Sequence, residues 1–126
     1  MTTNARPLSP HVQIYRLPLL AITSITHRIT GIGLGLGLLL LSCWLSAAAQ
    51  GPDSYAAIHD ILTSVLGRVV LFGFTAALFF HFTNGIRHLI WDTGKGLDLP
   101  CAKASNRVVI GVAAALTVLT WLIALA

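Results

Sequence analysis

Two short stretches, Ser24-Ile-Thr-His27-Arg28 and His81-Phe-Thr-Asn-Gly85-Ile-Arg87-His88-Leu-Ile-Trp91-Asp92, set imidazole, guanidinium and hydroxyl groups against long apolar runs. Ionisable side chains at the edge of a hydrocarbon-spanning segment, or inside one, are costly. They mark a bound charge, a proton path or a cofactor. An imidazole at membrane depth needs a partner for both ring nitrogens, or a metal on one of them. A haem iron suits His81, because it takes one nitrogen and leaves the other to hydrogen-bond within a helix bundle. The two haem propionates would then reach toward His27, Arg28, Arg87 and His88, cations that need anions. Ser24, one helical turn before Arg28, completes a donor pair suited to a polar headgroup such as a quinone carbonyl. Spacing alone leaves plainer readings open: a His81 bonded to a neighbouring helix, and His27 and His88 as polar residues snorkelling to an interface.

Helices must position these groups. His81, Gly85, His88 and Asp92 recur at intervals of four, three and four, so they form one stripe, extended by Ala77 and Gly73. Ser24, His27, Arg28, Gly31 and Gly35 share a face of the preceding helix. There the register Gly31-Ile-Gly33-Leu-Gly35-Leu-Gly37 leaves one side almost bare. A nucleotide-binding loop is discarded, since these glycines follow no strand and sit inside a span. Close helix–helix packing explains them as well as a cofactor does.

The composition demands a membrane. Of 126 residues, 56% are hydrophobic and 10% charged, with no Glu, and mean hydropathy is +0.82. Roughly a quarter of a soluble domain is charged, so this chain cannot clothe a water-facing surface. The net charge of +4 is dispersed and forms no basic run, which excludes nucleic acid as a partner. Ile29 to Ala49, Ser64 to Ile90 and Val108 to Ala126 are each long enough to cross a ~30 Å core. The reading is an all-α membrane protein with three transmembrane helices, one domain over 1–126. It comprises an arm over 1–24 and spans near 25–49, 64–90 and 107–126, with 50–63 as a loop. Arg6, Arg16 and Arg28, and later Arg87, Lys95, Lys103 and Arg107, place the N-terminus and the second loop in the cytoplasm. The C-terminus then lies in the periplasm. Cys43 and Cys101 fall near opposite faces and match no metal-ligand spacing.

At the motif positions the chain resembles the cytochrome b556 membrane-anchor family of succinate dehydrogenase, respiratory complex II, as its larger anchor. One signature is Arg6-Pro7-Leu8-Ser9-Pro10-His11, followed by Ser24-x-x-His27-Arg28-x-Thr30. The other is His81-x-x-x-Gly85-Ile86-Arg87-His88-Leu89-x-Trp91-Asp92-x-Gly94. Together they cover about a third of the chain. The resemblance implies that His81 is an axial ligand of haem b and that Ser24 and Arg28 line a ubiquinone pocket. It implies that His27, Arg28 and His88 lie near the haem propionates. It also implies an iron–sulfur subunit and, through it, a flavoprotein subunit as partners within membrane lipid. Succinate oxidation itself would not occur here, since the chain has no flavin site and no Fe–S cysteine framework.

His27 is expected at the interface and His81 ~9 Å deeper, which makes them poor joint ligands. His88 shares the His81 face, and His11 and His59 lie outside the spans. A second anchor subunit is therefore expected to supply the other haem ligand. A chain that starts at Met1 with no import peptide favours a bacterial inner membrane, with the mitochondrial inner membrane as the alternative. The competing functional class is a haem-free structural anchor or assembly subunit. A proton-coupled transporter using His81 and Asp92 is disfavoured by the absence of internal repeats.

Overall fold

The computed structural model describes residues 15–126, which form four helices and no strand. The Arg6–His11 part of the first signature lies outside the described residues. Helix α1 runs Leu19–Gln50, α2 Pro52–Thr63, α3 Val65–Asp92 and α4 Leu99–Leu125. Helices α1, α3 and α4 are long and apolar enough to cross a membrane.

Pro18 opens α1 from an extended conformation, and its carbonyl accepts from the backbone N–H groups of Ala21 and Ile22 at 2.9 and 3.2 Å. The helix thus starts ten residues before the uncharged run at Ile29, and Ser24, His27 and Arg28 sit in regular helix. At its far end Gly51 breaks the chain at φ 119°, a left-handed conformation that glycine adopts without strain. Pro52 and Asp53 then start α2, a proline at a first-turn position and an acid near the positive end of the dipole. The expected loop over 50–63 is therefore largely helix. Tyr55, Ile58 and Leu62 recur at intervals of three and four, and all are half-buried. That stripe was too short to stand out among the polar residues of the segment.

The α2–α3 corner depends on Ser64 and Gly67. Ser64 Oγ accepts from the Gly67 N–H at 3.1 Å, while a Cβ on Gly67 would strike the backbone carbonyls of Ile61 and Leu62. Beyond α3, Gly94 and Gly96 turn the chain at φ 77° and 71°. Asp98 then caps α4 by accepting from the Cys101 N–H at 3.1 Å. Hydrogen bonds from the Cys101 side chain and backbone hold the Asp98 carboxyl below its usual range.

Helix α3 lies antiparallel to both α1 and α4: Gly31 faces His81 and Gly37 faces Phe74, while Arg87 meets Asn106 and Phe72 meets Trp121. The interior inverts that of a soluble bundle. Its buried members are Ala47, Ala102, Val109 and Ala113 with the polar Thr23, Asn84, Arg87, Asn106 and Thr117, while many Leu, Ile and Phe side chains face outward. Lipid tails are as apolar as leucine, so burying large side chains gains nothing there. Small residues and interhelical hydrogen bonds hold the helices together instead.

Candidate functional site

His81 sits at the α1–α3 interface, with its ring against the backbone of α1. Its Nδ1 lies 3.0 Å from the carbonyl oxygen of His27 and 3.3 Å from Thr30 Oγ1. A carbonyl only accepts, so Nδ1 carries the proton, which in the neutral ring leaves Nε2 bare. The Thr30 hydroxyl donates within α1, to the carbonyls of Thr26 and His27 at 2.8 and 2.9 Å, so its oxygen is free to receive from His81. Gly31 makes room for the ring: a Cβ there would lie 2.9 Å from His81 Cε1 and 3.5 Å from Nδ1. Gly37 does the same for Phe74, at 2.8 Å. Gly33, Gly35, Gly73 and Gly85 have nothing within 4 Å of such an atom, so only part of the glycine face serves packing within this chain.

The structure gathers three imidazoles. The His27 and His81 rings stack with centroids 3.9 Å apart and planes 11° from parallel. His88 lies 5.1 Å from His27 and meets Trp91 edge-on at 5.2 Å. The expected difference in depth between His27 and His81 is thereby overturned. That estimate started the first span near residue 25. Because α1 begins at Leu19, His27 is already ~12 Å along it, level with His81. Its Nδ1 is buried and has no hydrogen-bond partner.

Ser24 is half-buried and Arg28 exposed, one turn apart on α1, and neither makes a side-chain hydrogen bond with another described residue. Arg87, expected among the cations awaiting propionates, is 4% exposed and donates from Nη1 to Asn106 Oδ1 at 2.6 Å. Its guanidinium also covers the Trp91 ring at 4.5 Å. Sequence reading missed Asn84 and Asn106, at 0% and 1% exposure. The signal lay in α4, where Ala102, Asn106, Val109, Ala113 and Thr117 recur at helical spacing on one buried face. Asp92 is exposed. A cavity of about 730 Å³ lies toward the α2 end, lined by residues such as Leu38, Trp44, Tyr55 and Leu78, and holds none of the predicted site residues.

These residues fit a haem better than a bare metal ion. Among the described residues, no three His, Cys, Asp or Glu side chains are arranged to hold a metal ion. An axial imidazole needs one free nitrogen, a fixed tautomer and room beside it. His81 has the tautomer from a carbonyl, and Gly31 gives its ring a seat against α1.

Fold and site define a three-span membrane anchor built around an intramembrane imidazole. A family model described as succinate dehydrogenase/fumarate reductase transmembrane subunit matches residues 2–120. The chain is 45% identical over 118 residues to the succinate dehydrogenase cytochrome b556 subunit of Paracoccus denitrificans, covering 94% of this chain and 91% of that one. It is 33% identical to the Rickettsia felis cytochrome b556 subunit over 94% and 92% of the two chains. The mitochondrial cytochrome b560 subunit of Sus scrofa is 44% identical over 110 residues, 83% of this chain and 63% of that one. The chain belongs to the succinate dehydrogenase/fumarate reductase transmembrane subunit family, within it as a cytochrome b subunit that anchors complex II in the membrane.

Proposed function

We propose that the chain holds one haem b through Nε2 of His81, shared with a second small membrane-anchor subunit, and forms part of a ubiquinone-reduction site with Ser24 and Arg28. The observation that carries the reading is the oriented imidazole: Nδ1 committed to the His27 carbonyl, Nε2 without a recorded partner, and a glycine where any side chain would push the ring aside. The cytochrome b names of the relatives support it.

The stacked imidazoles support a second polypeptide as the source of the other ligand. Rings stacked face to face at 3.9 Å would not turn their nitrogens toward a group lying between them, so His27 is not suited to hold the haem jointly with His81. His88 lies on the same side, and His59 is on α2 at the opposite end of the bundle. His27, Arg28 and His88 are instead suited to propionates, as donors at the end where α1 and α3 carry their polar residues.

Ser24 and Arg28 present a hydroxyl and a guanidinium with no partner among the described residues, the donors a quinone carbonyl needs as it gains charge on reduction. Electrons would arrive from succinate through the flavoprotein and iron–sulfur subunits, and protons from water beyond Arg28. Held by His81, a haem would supply a one-electron store. Dispersed Arg and Lys put the N-terminus and the α3–α4 connection in the cytoplasm and the C-terminus in the periplasm. The chain's place is a bacterial inner membrane, with the mitochondrial inner membrane as the alternative, and relatives of both kinds match the chain.

An absorption spectrum of the purified, dithionite-reduced complex tests the haem. A b-type α band is expected in the wild type and lost in His81→Ala. A wild-type complex without the band supports the haem-free anchor and sinks the reading.

A further inference from the structure

We propose that Arg87 sets the redox poise of the haem held by His81, as a fixed positive charge inside the bundle with no carboxylate paired to it among the described residues. This inference rests on the haem reading above.

Arg87 is 4% exposed within a candidate membrane span. A guanidinium stays protonated in any protein environment, so burial cannot neutralise it. Buried cations ordinarily persist beside a carboxylate. Here the contacts are neutral, the Asn106 amide oxygen at 2.6 Å and the Trp91 ring at 4.5 Å, and Nε has no partner. The sequence holds only four acids. Asp53 and Asp60 lie on α2 at the other end of the bundle, and Asp92 and Asp98 are exposed. The surrounding amides do not supply the missing negative charge either: both polar atoms of Asn84 and the Nδ2 of Asn106 are buried without partners.

An α3–α4 hydrogen bond needs no cation, since two amides would make it. What the arginine adds is charge. Arg87 stands six residues beyond His81 on α3, ~9 Å along the axis, on the flank that faces α4. With an effective dielectric constant of ~20, a unit charge on the order of 12 Å from a redox centre would change a one-electron equilibrium by about tenfold. A positive charge favours the ferrous state and therefore raises the midpoint potential. Arg87 would thus act through its field, as a positioning charge held by Asn106 and Trp91.

Redox titration of the α band in the purified complex tests this. Arg87→Gln is expected to lower the midpoint by up to about tenfold in the reduction equilibrium, ~59 mV for one electron, with the band retained. Arg87→Lys keeps the charge and should stay near wild type. If Arg87→Gln does not assemble, Asn106→Asp carries the test. It is nearly isosteric, sets a carboxylate against the guanidinium and should lower the midpoint too. Unchanged midpoints in Arg87→Gln and Asn106→Asp overturn the inference. A His81→Ala complex that keeps its α band would instead remove the haem reading beneath it, so the two failures are distinguishable.

Discussion

Gly31→Ala tests the seat of the imidazole with a single methyl group. The added Cβ would lie 2.9 Å from His81 Cε1, where ordinary contact begins at 3.4 Å. The ring must retreat by about 0.5 Å, and the parallel His27 ring at 3.9 Å already occupies one of its faces. A retreat of that size stretches the 3.0 Å bond to the His27 carbonyl toward 3.5 Å, outside the usual ~2.7–3.2 Å range. A net ~0.5–1.5 kcal/mol goes with that bond. Losing the partner that orients a metal-ligating histidine weakens metal binding ~10–100-fold. Alanine is the better helix former by ~1 kcal/mol, so a loss of haem cannot be ascribed to a weaker α1. The assay is haem per complex from the reduced-minus-oxidised spectrum, followed by the rate of haem transfer to a soluble scavenger. Gly33→Ala, two residues on with open space around it, is the control and should bind haem like wild type. Wild-type haem content and transfer rate in Gly31→Ala would refute the proposed role of this seat.

Three further perturbations probe other parts of the chain. Arg28→Leu and Ser24→Ala should each lower succinate–quinone reduction while succinate oxidation by an artificial dye persists; unchanged quinone kinetics would remove both residues from the site. Gly67→Ala should cost about 1–3 kcal/mol, as overpacking does, because its methyl meets backbone at the α2–α3 corner. Thermal unfolding of the complex against Gly111→Ala, which has open space, checks it. The Asp98 carboxyl is held below its unfolded value, so its contribution to the α4 cap is present above ~pH 4 and lost as pH falls through the folded value. The protection factor of the Cys101 amide, its exchange relative to the unstructured rate at the same pH, should therefore fall in acid, and Asp98→Asn, which keeps an acceptor oxygen, should flatten that dependence.

Much of the architecture was legible in the sequence because a membrane span is a local property. Eighteen or more apolar residues must form a helix, whatever surrounds them, since no water is present to satisfy the backbone. The three spans and the stripe carrying His81 and His88 followed from run length and periodicity. So did the prominence of His81 as an ionisable group within a span. Helix α2 did not, because its half-buried stripe is only three residues long. The start of α1 at Leu19 did not either, since polarity ended the apolar run well before the helix ended.

Which face meets which is not a local property. Run length carries no axial register between α1 and α3, so the level stacking of His27 on His81 had to come from packing. The same is true of Gly31, one of four alternating glycines, which alone of them faces the imidazole. Arg87 looks like an interfacial cation when read as a string, and only the α3–α4 contact turns it inward to Asn106. The sequence by itself determined that this is a three-span anchor with an ionisable histidine inside a span. The tertiary structure decided which carbonyl fixes that histidine's proton and where the buried charge lies, because interhelical contacts among small residues set register and rotation that hydropathy does not encode.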